Sequence, residues 1–323
     1  MKICVFGAGA VGGHLAALLA DAGYEVSAVM RGAALDAVRR DGLTVHLDDR
    51  IVRAQIRASD KPEELGAQDI LFVTVKSSAL PQAALGMRPL IKPDTTVVFA
   101  MNGIPWWYYH AHGGPMDGRR IARLDPAGTL WDTIGPHLAL GCTTSSACTV
   151  LAPGVVEVKG GNRQIAIGEP DGSLSSRLRL VSGMLEDAGF PVVATQHIRD
   201  KIWSKLALNL ASGPMAVLAP VAMKEMFAEP ACIAARYRIH EEVAAIAAGM
   251  GCRTDVDIEG NMAIVRTSSH TPSIAQDVLK GRKPELESIF LQPLEMAREC
   301  QVETPMLDLL VALALLKVKS QRL

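Results

Sequence analysis

The chain has 323 residues, 49% of them apolar and 21% charged, with a formal net charge of −1 at pH 7. That length and apolar content suit two domains with sizeable cores. A near-neutral balance, no basic block and only 4% aromatic residues exclude the footprint of a nucleic-acid binder.

The N-terminus carries the strongest local signal. Lys2 to Phe6 reads as a short apolar strand, and an alanine- and leucine-rich helix starts directly after it. Between them lies Gly7-Ala8-Gly9-Ala10-Val11-Gly12, with glycines at the G-x-G-x-x-G spacing. Gly7 allows a tight turn, Gly9 lets a pyrophosphate approach the backbone, and Gly12 lets helix and strand pack closely. The helix N-terminus offers N–H groups and a positive dipole end to phosphates. A second strand, Glu25 to Val29, follows at the distance expected of a βαβ unit, which outweighs both a ligand-free glycine turn and a signal peptide. That strand runs into Met30-Arg31-Gly32 where an NAD site places an acidic residue. A guanidinium there suits a 2′-phosphate, so NADP is expected over NAD, with Arg39 and Arg40 adding positive potential. A solvated loop arginine is the alternative.

Further strands are expected at Ile70–Val75, Thr96–Ala100 and His137–Ser146, alternating with helices as in a parallel sheet covered on both faces. Asn102-Gly103 follows the Thr96–Ala100 strand, at the end of the sheet where ligands bind, though a plain turn explains it as well. Pro105 to Pro136 breaks the alternation with Trp106, Trp107, Tyr108 and Tyr109, as a lid or as a packed excursion. Val155–Lys159 and Gln164–Ile167, joined through Gly160-Gly161-Asn162, read as a β-hairpin appended to the sheet. The six cysteines have no C-x-x-C or metal spacing and read as reduced thiols of a cytoplasmic protein; no metal is expected.

From about Gln196 the texture is helical. Ile202, Leu206 and Leu210 form an i, i+4 stripe. The uncharged run Leu206 to Met223 contains two prolines and reads as a buried helix and turn rather than a membrane span. Lys205 precedes that run, and Asn209 shares its helical face. An ammonium in apolar surroundings is shifted toward proton transfer, although a lysine snorkelling at the helix rim is a bland alternative. Helices are also expected over Arg236–Met250, Pro284–Cys300 and Met306–Lys319. In the second of these, Pro284 fits the first helical position and Glu285 the first turn. Ser273 fits a helix cap. Leu309–Leu316 suits a homodimer surface or core equally. Domains are expected at 1–195 and 196–323, with a cleft between them for a substrate.

Together these segments resemble the ketopantoate reductase family. The likeness is carried by the N-terminal glycine motif, Arg31, Val75-Lys76, Asn102-Gly103, the run His197 to Asn209 with its IWxKLxxN pattern, Ser273-Ile274-Ala275-Gln276-Asp277, and Glu285. It implies a Rossmann-type doubly wound α/β domain followed by a mostly α-helical one. It also implies NADPH-dependent reduction of the small 2-oxo acid ketopantoate to pantoate, on the route to pantothenate. By position, Lys205 corresponds to the general acid, and Asn209 and Glu285 to its polar partners. Ser273 corresponds to a substrate contact, Asn102 to a substrate and nicotinamide contact, Arg31 to the 2′-phosphate ligand and Lys76 to a cofactor-pocket residue; the loop from Gly7 to Gly12 holds the pyrophosphate. Gly213 and Met223 stand where the family pattern has asparagines, and the aromatic excursion is longer than usual. Those departures bear on the substrate: another 2-oxo acid on the same scaffold, or a non-catalytic NADPH sensor, are the rival expectations.

Overall fold

The computed structural model describes residues 1–160 and 162–322. The chain divides into two compact units, one of residues 1–101 and 105–198, the other of 102–104 and 199–323.

In the first unit, β1 (Lys2–Phe6), α1 (Ala10–Asp21), β2 (Glu25–Val29), α2 (Ala33–Asp41), β3 (Leu43–His46), β4 (Ile51–Ala54), β5 (Arg57–Ser59), β6 (Ile70–Val73), α3 (Leu80–Met87), β7 (Thr96–Ala100), α4 (Thr129–Thr133), β8 (Ala139–Thr144), β9 (Ala147–Ala152), β10 (Val155–Lys159), β11 (Ile165–Gly168), α5 (Ser176–Asp187) and β12 (Val192–Ala194) follow in order. Eight strands form one sheet in the order β12-β11-β8-β7-β6-β1-β2-β5. β1 pairs in parallel with β2 on one side and β6 on the other. Ile3, Cys4 and Val5 are fully buried, as an interior strand covered on both faces requires. The pairing of β11 with β8 is antiparallel.

A second sheet, β4-β3-β10-β9, lies against α1. This corrects the expected hairpin. β10 pairs antiparallel with β9 through the Pro153-Gly154 turn, and β11 joins the main sheet. The burial patterns give the reason. β10 alternates buried and partly exposed residues, as a one-sided sheet needs, whereas β11 is buried throughout. Gly161, within the expected hairpin loop, lies outside the described residues.

Covered by both sheets, α1 has no polar stripe: Leu15 to Leu19 are all buried. His14 on the same helix is 1% exposed. Its ring meets Phe190 edge-on at 4.9 Å, and its Nδ1 lies 3.6 Å from Cys148 Sγ. Burial, aided by the charge of Arg163, lowers the His14 titration to about 4, and burial pushes the Cys148 thiol up to about 12. The pair is therefore neutral at ordinary pH, not a thiolate–imidazolium couple.

Two strands, β6 and β8, are shorter than expected, and β8 ends at Thr144. β6 stops at Val73, and β8 starts at Ala139 because Pro136–Leu138 forms a 3₁₀ turn. The excursion after Pro105 is packed: Trp106, Trp107, Tyr108 and Tyr109 are interior. Trp106 stands edge-on to Phe99 and to Trp131, and buried Asp125 accepts the N–H groups of Leu130 and Trp131 at the start of α4.

The second unit is helical, with α6 (Ile198–Leu210, entered from the first unit), α7 (Gly213–Leu218), α8 (Met223–Met226), α9 (Pro230–Gly249), α10 (Ile258–Thr267), α11 (Ser273–Leu279), α12 (Gln292–Glu299) and α13 (Pro305–Ser320). The Ile202, Leu206, Leu210 stripe is buried. Buried Glu242 on α9 accepts the N–H groups of Met306 and Leu307, capping α13 from a distance. On α13, Val311 and Ala314 face inward, while Leu309 and Leu316 are 57% and 62% exposed. Among the described residues no helix is long and apolar enough to cross a membrane.

Gly12 sets a tight contact between α1 and the end of β6. A Cβ there would lie 2.4 Å from Thr74 Oγ1 and 2.6 Å from the Gly7 carbonyl oxygen. Gly12→Ala should destabilise the protein by about 1–3 kcal/mol, overpacking outweighing alanine's helix propensity; an unchanged or raised urea midpoint would contradict this. His14 gives a pH dependence. Between its ordinary value of 6.5 and about 4 the native state binds fewer protons than the unfolded chain, so stability falls on acidification through that window. The loss should reach up to about 3 kcal/mol. Urea titrations at pH 7 and pH 4.5 should show a smaller drop for His14→Gln than for the parent.

Candidate active site

Three strand ends of the first unit bring the expected cofactor residues together. Gly7 follows β1 with φ of +99°, and its N–H donates to Val29 O at the end of β2. A Cβ on Gly7 would lie 2.5 Å from Val75 Cγ1, so the segment leading into Lys76 packs against the glycine loop. Thr74 Oγ1 donates to Gly7 O at 2.8 Å, fixing the turn from the other side. Gly9 is the N-cap of α1 and is exposed; no side chain caps the helix, and a Cβ there would meet nothing closer than Gly7 O at 3.9 Å. The uncapped first turn and the open approach at Gly9 fit a dinucleotide pyrophosphate. Ala8, Ala10 and Val11 complete the loop and are partly exposed.

Arg31 is exposed two residues beyond β2, ahead of Gly32, whose φ is +62°. Arg39 and Arg40 are engaged elsewhere: Arg39 Nε donates to Ala58 O, and Arg40 pairs with Asp41. Lys76 is partly exposed on extended backbone, just before a 3₁₀ turn.

The second unit holds the other candidates. Lys205 and Asn209 stand one turn apart on α6, both partly buried. Burial pushes the Lys205 ammonium below the usual lysine range. His270 is a neighbour that sequence reasoning missed. Burial first, and the Lys205 charge second, lower its titration. The His270 carbonyl accepts the N–H of Met223 at 3.0 Å, which ties the loop before α11 to the start of α8. Its place three residues ahead of Ser273 was the available signal.

Ser273 opens α11 and is exposed. It is not the cap expected from its position: the N-cap is Pro272, with no side-chain capping bond, and Gln276 Nε2 instead donates back to Thr271 O. Glu285 also departs from expectation. The helix after it begins at Glu287, with a π turn over Glu287–Leu291 running into α12. Pro284 is outside the helix because its carbonyl accepts the N–H of Leu286, a three-residue turn centred on Glu285. Glu285 therefore sits in a tight lead-in, partly buried, rather than in a first helical turn.

Asn102 groups with this second unit and not with the strand it follows. Ile104 N donates to Ser288 O at 2.9 Å, and Ser288 Oγ stands 3.5 Å from Asn102 O. Gly213, at the start of α7, faces the same turn: a Cβ there would lie 3.0 Å from the Phe290 ring and 3.7 Å from Ile274. The π turn and α11 thus converge on the start of α7, which follows the lysine helix. Among the described residues no group of three or more His, Cys, Asp or Glu could hold a metal ion.

Comparison with known proteins places this arrangement. Residues 3–172 match the family model Ketopantoate reductase PanE/ApbA, and residues 197–318 match its C-terminal counterpart. A 2-dehydropantoate 2-reductase of Mesorhizobium japonicum is 36% identical over 315 residues, covering 97% of this chain and 96% of that one. A crystal structure from Ralstonia solanacearum MolK2 that bears the ketopantoate reductase name superposes with a TM-score of 0.91 at 34% identity, covering 99% of this chain and 98% of that one. A D-mandelate dehydrogenase solved with NADH and anilino(oxo)acetate shares the fold at 20% identity, with a TM-score of 0.83 and full coverage of both chains. Both family models and the near-complete relative lead to one conclusion: the chain belongs to the ketopantoate reductase family of oxidoreductases.

Proposed function

We propose that the chain reduces 2-dehydropantoate to pantoate with NADPH, Lys205 acting as the general acid. The observation that carries this reading is a lysine on a buried helix, its ammonium destabilised by burial, with Asn209 one turn away on the same face. Family membership and the Mesorhizobium relative's name support the substrate.

Each residue has a role in this reading. The N–H groups of the first turn of α1, bared by Gly9, bind the pyrophosphate. Arg31 receives the 2′-phosphate, for which its planar fork is suited. Lys76 borders the cofactor. When bound, the reduced nicotinamide supplies the hydride for the ketone carbon. Lys205 stabilises the negative charge that develops on the ketone oxygen and then delivers its proton there, leaving a neutral amine. Asn209 and Glu285 orient the lysine and the substrate, while Ser273 and Asn102 bind the 2-oxo acid. A lowered ammonium pKa makes the group a stronger acid and brings the proton donor closer to the pH of the medium, which favours proton transfer.

The direct test is NADPH consumption with purified protein and ketopantoate; no turnover above the enzyme-free rate would reject the reading. Lys205→Ala should keep NADPH affinity nearly intact and lower turnover by about 10²–10⁴-fold. The pH profile gives the sign. The acid must be protonated, so kcat falls as pH rises through the Lys205 titration, at a pH below the ordinary lysine value of 10.5. Lys205→Arg should lose that limb. Arg31→Ala should narrow the preference for NADPH over NADH, read as the ratio of kcat/KM for the two cofactors; an unchanged ratio removes Arg31 from the phosphate site.

A further inference from the structure

We infer that Ser288 is a positioning residue, and that the π turn Glu287–Leu291 is the clamp that sets Asn102 in place for the substrate. The inference rests on the reading of Asn102 as a substrate contact given above.

The backbone of Ser288 is pressed against Asn102-Gly103-Ile104. Its carbonyl accepts the Ile104 N–H at 2.9 Å, and its hydroxyl stands 3.5 Å from Asn102 O. Ser288 is 0% exposed, so the contact is dry. Gly103 adopts φ of +83°, and a Cβ there would come within 2.5 Å of the Ser288 carbonyl oxygen. Only a glycine allows so close an approach. The same turn touches the start of α7, since Phe290 lies beside Gly213. It also follows Glu285 by two residues.

A π turn widens the helix by one residue and leaves the local carbonyls out of the regular i to i+4 ladder, and such turns are frequent at functional sites. Here the widened turn offers the Ser288 carbonyl to a neighbouring segment. One stretch, 285–290, thus carries Glu285, holds the peptide of Asn102 and buttresses Gly213. A shift of Asn102 by a fraction of an ångström is enough to cost rate, because misplacement of a substrate contact by about 1 Å costs up to about 10²-fold.

The test is a double-mutant cycle on the full-length protein, with turnover measured on a panel of ketopantoate, 2-ketoisovalerate and phenylglyoxylate. Asn102→Ala, Gly103→Ala and the double variant are compared with the parent for kcat, KM and NADPH affinity. If the clamp acts through Asn102, Gly103→Ala alone lowers kcat/KM by about 10–100-fold, with NADPH affinity no different from that of Asn102→Ala, and adds little to Asn102→Ala. Losses that multiply overturn the proposal, because they show an effect spread over the fold. So does a Gly103→Ala enzyme as active as the parent, or a harmless Asn102→Ala. If Gly103→Ala does not fold, Ser288→Gly, which removes the hydroxyl that meets Asn102 O and frees the turn's backbone while keeping its carbonyl, replaces it in the same cycle, and a kcat/KM equal to the parent's overturns the proposal. A parent that reduces another acid of the panel but not ketopantoate overturns the substrate reading while the cycle still tests the clamp. A parent inactive on all three overturns both.

Discussion

The close approach of one helix to one strand governs the first unit. Gly12 lets α1 come within contact of Thr74 and of the Gly7 carbonyl, and Gly7 needs a positive φ to make the turn that starts the helix there. From that contact follow the bared N–H groups at Gly9 and the alignment of the ends of β1, β2 and β6. The second sheet then closes over the opposite face of α1, which is why an N-terminal helix of this fold is buried almost all round and why His14 is held uncharged within it.

A different constraint shapes the second unit. One lysine, Lys205, is kept partly dry, and burial lowers its ammonium's titration. The i, i+4 apolar stripe of α6 supplies the desolvation, and the uncharged run after Lys205 leaves no nearby carboxylate on that helix to neutralise it. Elsewhere the unit holds its charges with care. Glu242 is spent on the start of α13, Asp277 pairs with Arg282, and Arg236, 1% exposed, donates to Ala211 O and Asn261 Oδ1 with its guanidinium over the Phe227 ring. Desolvated groups with fixed partners are what give a site a single arrangement.

Much of this was legible in the chain itself. The runs at Lys2–Phe6, Glu25–Val29 and Thr96–Ala100 are continuous and apolar, and they became interior strands with the expected bounds. The α6 stripe and the expected α13 were equally plain, because their periodicity is local. What was hidden depended on distant partners. Leu43–His46 pairs with Val155–Glu157 across more than a hundred residues, so short segments punctuated by Arg50, Arg53 and Arg57 gave no strand signal. The expected hairpin failed because the two strands answer to different burial demands, which the glycines between them do not report. At the candidate site, residue types and spacing singled out Lys205 with Asn209 on its face, and the family resemblance added Glu285, but nothing in the sequence marks the π turn or the role of Ser288. Those arise from packing against Asn102–Ile104, a segment far away along the chain.

The fit between Gly213 and Phe290 limits how this protein can drift. A Cβ at 213 would stand 3.0 Å from the ring, closer than side chains ordinarily approach. A larger residue at 213 requires the phenyl group to shift, and trimming the ring would open a void beside the start of α7. The tolerance for change at one locus therefore depends on what occupies the other.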